Sequence, residues 1–267
     1  MANIEWIGTT TPGDLDVAAN WVGGVAPGAA DVAVFNAGSQ DVDPSLGNIA
    51  AWAGMEIYSG YTGAIGGSGN ELTTSVTTLK HLGSAALWFK DSAGTSVDVY
   101  IRCSDPSTVV NIGDGPFTGV HCMRGTITIA GDVGNITLLT VGMKDNPTSD
   151  VTLNIVANAN TITDYYQYGG VVTAQMATTR AEINNGIFTL NGSVTAGRLL
   201  VSGGQVNHDS TGTITDMLLH GGRTDLGDKI KTITKSAAFP GSTLIKNDTI
   251  HTFTAALVDL RENVSGN

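Results

Sequence analysis

Charge is scarce in this chain: only 14% of its 267 residues are Asp, Glu, Lys or Arg. Long Glu/Lys-rich amphipathic stretches are missing, which removes the usual argument for surface helices. Basic charge is scarcer still. Thirteen Lys and Arg against 24 Asp and Glu leave a net charge of -11, which speaks against a nucleic-acid binder, since that function needs a cationic face to displace counterions. No apolar run reaches the roughly 18 residues of a membrane span. The opening "MANIEWIGTTTPGDLD" has neither a basic n-region nor an apolar h-region. It is therefore not read as a secretory signal, and synthesis in the cytosol is expected. Two cysteines, Cys103 and Cys122, are too few for a disulfide framework or a four-cysteine zinc site.

What the chain does have is glycine, 35 residues of it, with plentiful Ser and Thr and a hydrophobic share of 41%. That share supports a sizeable core, and the balance favours strands and tight turns over helices. The length suits one large domain or two small ones.

One phrase occurs twice. "ITDYYQYGGVVTA" (Ile162 to Ala174) returns as "ITDMLLHGGRTDL" (Ile214 to Leu226), 52 residues later. Weaker versions lie between them at Thr178 to Leu190 and Ala196 to His208. The glycines Gly170, Gly186, Gly204 and Gly222 step by 16, 18 and 18 residues, and Gly241 follows after 19. Alternating apolar residues broken by glycine at a fixed phase are a solenoid signature. A period of about 18 is too short for helical repeats, and the leucine-rich consensus is absent, so it selects a parallel β-helix. Strands of a few residues point alternate side chains inward, and glycine turns each corner with φ > 0. The alternation extends upstream through "GTITIAGDVGNITLLTVG" and "DVTLNIVANANTI", which predicts about a dozen coils. The domain reading is an N-terminal cap or arm over 1–30, the β-helix over 31–253 and a C-terminal cap and tail over 254–267. Within the last, Thr254 to Glu262 is read as a short helix or a final strand, and "NVSGN" as a loose tail.

A solenoid's first rung exposes its interior, and Trp6 and Trp21 suit a cap over that end. The order Asn20-Trp21, Gly24, Pro27, Asp31, Ala33, Phe35, followed by "GYTG" and an alternating strand, resembles the opening segment of β-helical proteins of tailed-phage virions and of autotransporter-like passengers. The resemblance covers about the first 75 residues. It implies a right-handed parallel β-helix, often a side-by-side homotrimer, that decorates or projects from a particle.

The search for chemistry returns no catalytic, cofactor or metal residue. Asp164 and Asp216 share a repeat phase but lie three coils apart, roughly 15 Å by rung spacing, too far for a glycosidase pair; each is read as ending a strand at a turn. His208 and His220 differ in phase and are read as solvated, as are His81, His121 and His251. The spacing of Cys103 and Cys122 predicts buried thiols stacked on adjacent rungs, with His121 as their neighbour. "YYQY" (Tyr165 to Tyr168) is read as sending two tyrosines into the core or a subunit interface, with a sugar-stacking platform as the alternative. "IGGSGNEL" occurs once and lacks the aspartate of calcium-binding glycine repeats. No HExxH, Walker or GxSxG motif occurs.

By analogy, the expected function is non-enzymatic: a capsid decoration or cement protein of a tailed phage, made in the host cytoplasm, bound to the major capsid protein and self-associated as a homotrimer. The alternatives are a tailspike-like adhesin or glycan-cleaving enzyme, and a secreted β-helical passenger fragment. No cofactor, nucleic-acid partner or membrane is expected.

Overall fold

The computed structural model describes residues 1–9, 13–46, 51–92, 97–146, 149–246 and 248–261. The chain divides into two compact units, Met1–Asn135 and Ile136–Asn267. Each is a parallel β-helix, right-handed as parallel crossovers within a sheet are. Among the described residues there is no α-helix, only a single 3-10 turn at Ala18–Asn20.

In the second unit each coil contributes one strand to each of two ladders. The first ladder runs through Ile136–Val141, Thr161–Gln167, Ala177–Ile183, Ala196–Val201, Ile214–Leu219 and Lys231–Ala238, all parallel. The second runs through Val151–Ile155, Val171–Ala174, Ile187–Gly192, Gln205–Ser210, Arg223–Asp225 and Thr243–Ile245. Strict alternation sends one row inward: Leu139, Tyr165, Ala181, Leu199, Met217 and Ser236 stand level on successive rungs. Large and small residues complement one another there, and Tyr165 packs across the interior on Phe188 with ring centroids 4.9 Å apart.

Gly170, Gly186, Gly204 and Gly222 have φ of 79, 88, 70 and 67°. They are the positive-φ corners that the repeat predicts. The carbonyl of each accepts from the first residue of the next second-ladder strand: Ile187, Gln205, Arg223 and Thr243. Successive corners nest so closely that a Cβ on Gly204 would stand 2.5 Å from the Gly186 oxygen. Gly241 also has positive φ, at 87°, but its coil is two residues longer than the two before it. Arg223 pairs with Thr243, so Ser242, not Gly241, stands level with Gly222.

In the first unit the first ladder runs from Asn3–Glu5 through Val32–Gly38, Gly54–Tyr61, Thr78–His81 and Val97–Arg102 to the beginning of Phe117–Ile129. Residues 1–30 thus supply a rung as well as the two tryptophans. Trp6 and Trp21 are both 1% exposed and meet edge to face at 5.1 Å. Trp21 also packs near Phe35 and Trp52, and its indole N–H donates to the Leu15 carbonyl at 2.8 Å. The second ladder holds Leu72–Thr74, Leu87–Asp91, Val109–Asp114 and the end of Phe117–Ile129. Register shifts interrupt the first ladder between Phe35 and Ala37, between Val97 and Asp98, and between Ile101 and Arg102.

These shifts correct the cysteine reading. Both thiols are free and buried, but Cys122 stands level with Ile101. The Cys103 amide donates to Arg124 O, and its sulfur lies 3.0 Å from where a Cβ of Gly125 would be. The two cysteines are on adjacent coils without sharing a register position. At the C-terminal end, residues 254–261 hold the two-residue strand Val258–Asp259 and no helix. The loose-tail reading of "NVSGN" lies outside the described residues.

Candidate functional site

Two outward surfaces, one per unit, and a set of buried histidines carry the polar groups with functional potential. On the first unit, the outward positions of the first ladder form two adjacent rows. One is Val32, Gly54, Thr78, Asp98 and Gly119; the other is Val34, Glu56, Lys80, Tyr100 and His121. Small side chains in the first row leave a groove of about 380 Å³, lined by Gly54, Thr78 and Asp98 along its floor and by Glu56, Lys80 and Tyr100 along its wall.

The groove's groups fall into two sets. Lys80 donates to Glu56 Oε1 at 2.7 Å, and the Tyr58 hydroxyl donates to Glu56 Oε2 at 2.5 Å. The Lys80 and Tyr58 bonds hold the Glu56 carboxyl below its usual range. These groups satisfy one another. Farther along, Asp98, Tyr100 and His121 make no side-chain hydrogen bond among the described residues. The Tyr100 and His121 rings stack at 4.7 Å and 15°. Partial burial lowers the His121 pKa, opposed by the nearby Asp98 charge, which favours the neutral imidazole. Gly119 lies between them: a Cβ there would stand 3.0 Å from both Asp98 Oδ1 and His121 Nε2. Glycine at this position lets both polar atoms come close to the backbone. His121 adjoins Cys122 in the chain, but its ring lies on the outer face against Tyr100 while the thiol is buried. The weak sequence signal for this arrangement was the matching i, i+2 pair on successive coils, Asp98/Tyr100 and Gly119/His121.

On the second unit, Asp164 and Asp216 lie mid-strand, not at turns. They belong to the outward row Asp164, Arg180, Arg198, Asp216 and Lys235, which puts them three rungs apart as expected. Arg180 pairs with Asp164 at 2.9 Å and Arg198 with Asp216 at 3.8 Å. The carboxylates are neutralised rung by rung and form no catalytic pair. Beside them runs the row Tyr166, Glu182, Leu200, Leu218, Ala237 and Val258. Its last four members make an apolar strip, with Val258 53% exposed. Phe239, two residues beyond Ala237, stacks on His220 at 4.4 Å and 8°.

"YYQY" divides by parity. Tyr165 and Gln167 point inward, and the Tyr165 hydroxyl donates to Gln167 Oε1 at 2.7 Å. The Gln167 amide in turn donates to the Gly170 and Ile187 carbonyls, tying down the corner. Only one tyrosine enters the core. Tyr166 faces out beneath the Arg180 guanidinium, 5.2 Å from its ring centre.

Three histidines read as solvated are buried, because period-two alternation carries them inward. His81 lies in the inward row between Ile57 and Ile101. Its Nε2 bonds the Ala85 carbonyl at 2.8 Å and its Nδ1 faces Cys103 Sγ at 3.7 Å. Burial lowers its pKa to about 4 and pushes the Cys103 thiol up to about 12; the Cys122 thiol is raised for the same reason. Both thiols are therefore protonated and unreactive at neutral pH. His208 is fully buried, with Lys231 Nζ 3.2 Å from its Nδ1. The Lys231 ammonium also donates to the His208 and Leu226 carbonyls, and His251 is buried level with it. Burial first, then the Lys231 charge, lowers the His208 pKa to about 3; burial lowers Lys231 to about 8. This cluster closes the corner after Leu226 and is enclosed by protein, so it is structural.

Among the described residues no three His, Cys, Asp or Glu side chains gather as metal ligands, and no helix is long and apolar enough to cross a membrane. No family model matches the chain, and neither does any curated protein or solved structure.

Proposed function

We propose that this chain is a structural protein of a tailed-phage particle, a decoration or cement protein carried on the capsid surface as a homotrimer. The observation that supports this reading is the outward face of the second unit. There a strip of Leu200, Leu218, Ala237 and Val258, each on its own rung, lies beside charges already neutralised by Arg180–Asp164 and Arg198–Asp216. A rigid sheet with an apolar strip beside two neutralised ion pairs suits contact with another protein surface. In this reading the strip meets neighbouring copies of the chain, an association closed by cyclic symmetry. The acidic remainder of the surface keeps the free protein soluble before it docks on the major capsid protein.

The test has two arms on the intact protein. Immunogold labelling of particles is expected to decorate the icosahedral head, and sedimentation at micromolar concentration is expected to give a trimer that Leu218→Glu converts to a monomer. Label confined to the tail tip, or its absence from particles, overturns the decoration role. A monomeric wild type that stays single on its target overturns the trimer.

A further inference from the structure

We propose that the terminal rung of the second unit, His251–Phe253 with Val258–Asp259, is a proton-released latch: His251 seats it against the buried Lys231 ammonium only while the imidazole is neutral. The inference is independent of the capsid reading. It begins from how little else holds the rung. Among the described residues after Ser242, His251 is the only one that is buried. Phe253, which stands level with the fully buried Ile233, is half-buried, and Val258 is 53% exposed. Apolar burial, the main force that seats a rung, is therefore nearly absent here. The ladder is short as well, since the rung pairs with Lys231–Ala238 over three residues and then two. Beyond these pairs, the Thr254, Ala255 and Leu260 amides donate to the Ile233, Thr234 and Ala238 carbonyls at 2.9, 3.0 and 2.8 Å.

Lys231 is 2% exposed and stands level with His251. Its ammonium donates to the His208 and Leu226 carbonyls and lies 3.2 Å from His208 Nδ1. Basic groups from the strands Gln205–Ser210, Lys231–Ala238 and His251–Phe253 thus share one interior. The carboxylates that reach them are Asp209 beside His208, Asp225 and Asp228 around the corner before Lys231, and Asp248 ahead of His251. These favour the charged forms, as does a hydrogen bond between His251 and the Gly227 backbone. Burial outweighs them and the Lys231 charge adds to it, so the seated imidazole takes up a proton less readily than a free one. Once protonated, His251 puts a second cation level with the first, in an interior that screens it poorly. Leaving costs the rung a short ladder and almost no apolar burial, so release is the easier outcome. Below pH 6.5 the released rung binds more protons than the seated one, and release gains as pH falls. Lys231, whose pKa burial lowers to about 8, is still charged there. Because Val258 stands level with Ala237, release also removes the last residue of the apolar strip.

The experiment is amide hydrogen exchange on the intact chain, read as protection factors corrected for the pH dependence of free-amide exchange. Between about pH 7.5 and about pH 5.5, protection at Thr254, Ala255 and Leu260 is expected to fall severalfold, approaching the roughly tenfold limit for one proton taken up on release. His251→Gln, neutral at every pH, should flatten this response at the rung and leave that of Gln205–Ser210 as in the wild type. A wild-type rung that keeps its protection across the range, or a glutamine variant that keeps the wild-type response, overturns the latch. Should glutamine leave the rung open at neutral pH, NMR titration of the wild type decides. The amide signals of residues 252–260 are expected to move toward disordered values with the same midpoint as the His251 ring. A ring that titrates while those signals stay in place overturns the assignment.

Discussion

In the Ile136–Asn267 unit the second-ladder strands begin level with one another at residues 171, 187, 205, 223 and 243, and positive-φ glycines precede the first four of these strands in one phase. In the Met1–Asn135 unit the level positions Gly54, Thr78, Asp98 and Gly119 are unevenly spaced, and three register shifts break the ladder. Positive φ there falls at Gly23, Gly38, Gly66 and Gly115, and even at Asp114 with φ 53°, without a common phase. A column of nested corners keeps the coils of the second unit alike, so its outward rows are continuous and flat. Irregular corners let the first unit place unlike residues side by side, and its groove is the consequence.

The corner glycines are the place to break this comparison with the largest effect. Gly204→Val sets a branched side chain at φ 70° and 2.5 Å from the Gly186 oxygen, and should cost more than about 3 kcal/mol in chemical denaturation. Gly23→Ala in the first unit has φ 82° but open space around it, so only the backbone strain of about 1 kcal/mol is expected. Equal losses in the two would mean that nesting contributes nothing.

Acid gives the next largest effect. His208 and His81 are both held neutral, so the unfolded chain binds more protons below pH 6.5, and stability falls as pH drops. The His81 contribution is lost between pH 6.5 and about 4, and that of His208 between 6.5 and about 3, on the order of 3 and 5 kcal/mol respectively. Hydrogen exchange measured at descending pH should show both units loosening from pH 6 as the two histidines protonate. Lys231→Met removes the like charge beside His208 and should raise its NMR-measured pKa; an unchanged value would mean that burial alone sets it.

The smallest difference concerns the ion pairs. Arg198 and Asp216 are 3.8 Å apart and well exposed, so Arg198→Ala should cost under about 0.5 kcal/mol. Lys80 lies 2.7 Å from a Glu56 that is 18% exposed, and Lys80→Ala should approach about 1 kcal/mol. The reverse order would show that the charged row of the second unit is more than mutual neutralisation.

How much of this was legible follows the same division. Gly170, Gly186, Gly204 and Gly222 were readable because a left-handed corner tolerates little but glycine, and a repeat of equal coils puts it at a constant step. The burial of His208 is readable in the parity of Val206, His208 and Ser210, which alternate inward, although the polarity of the side chain points the other way. The cysteine register was not readable, because register shifts between Val97 and Asp98 and between Ile101 and Arg102 erase the counting rule that links one coil to the next.

By itself, then, the sequence determined a parallel β-helix and the phase of its corners, because those depend on local backbone sterics and on alternation repeated along the chain. Only the tertiary structure decided which outward side chains meet across rungs: that Asp164 finds Arg180, that Glu56 finds Lys80, and that Tyr100 stacks on His121. Those meetings depend on the length and irregularity of each connecting turn. Nothing in the local pattern fixes that length, and a one-residue change in it moves every side chain of a rung to the opposite face.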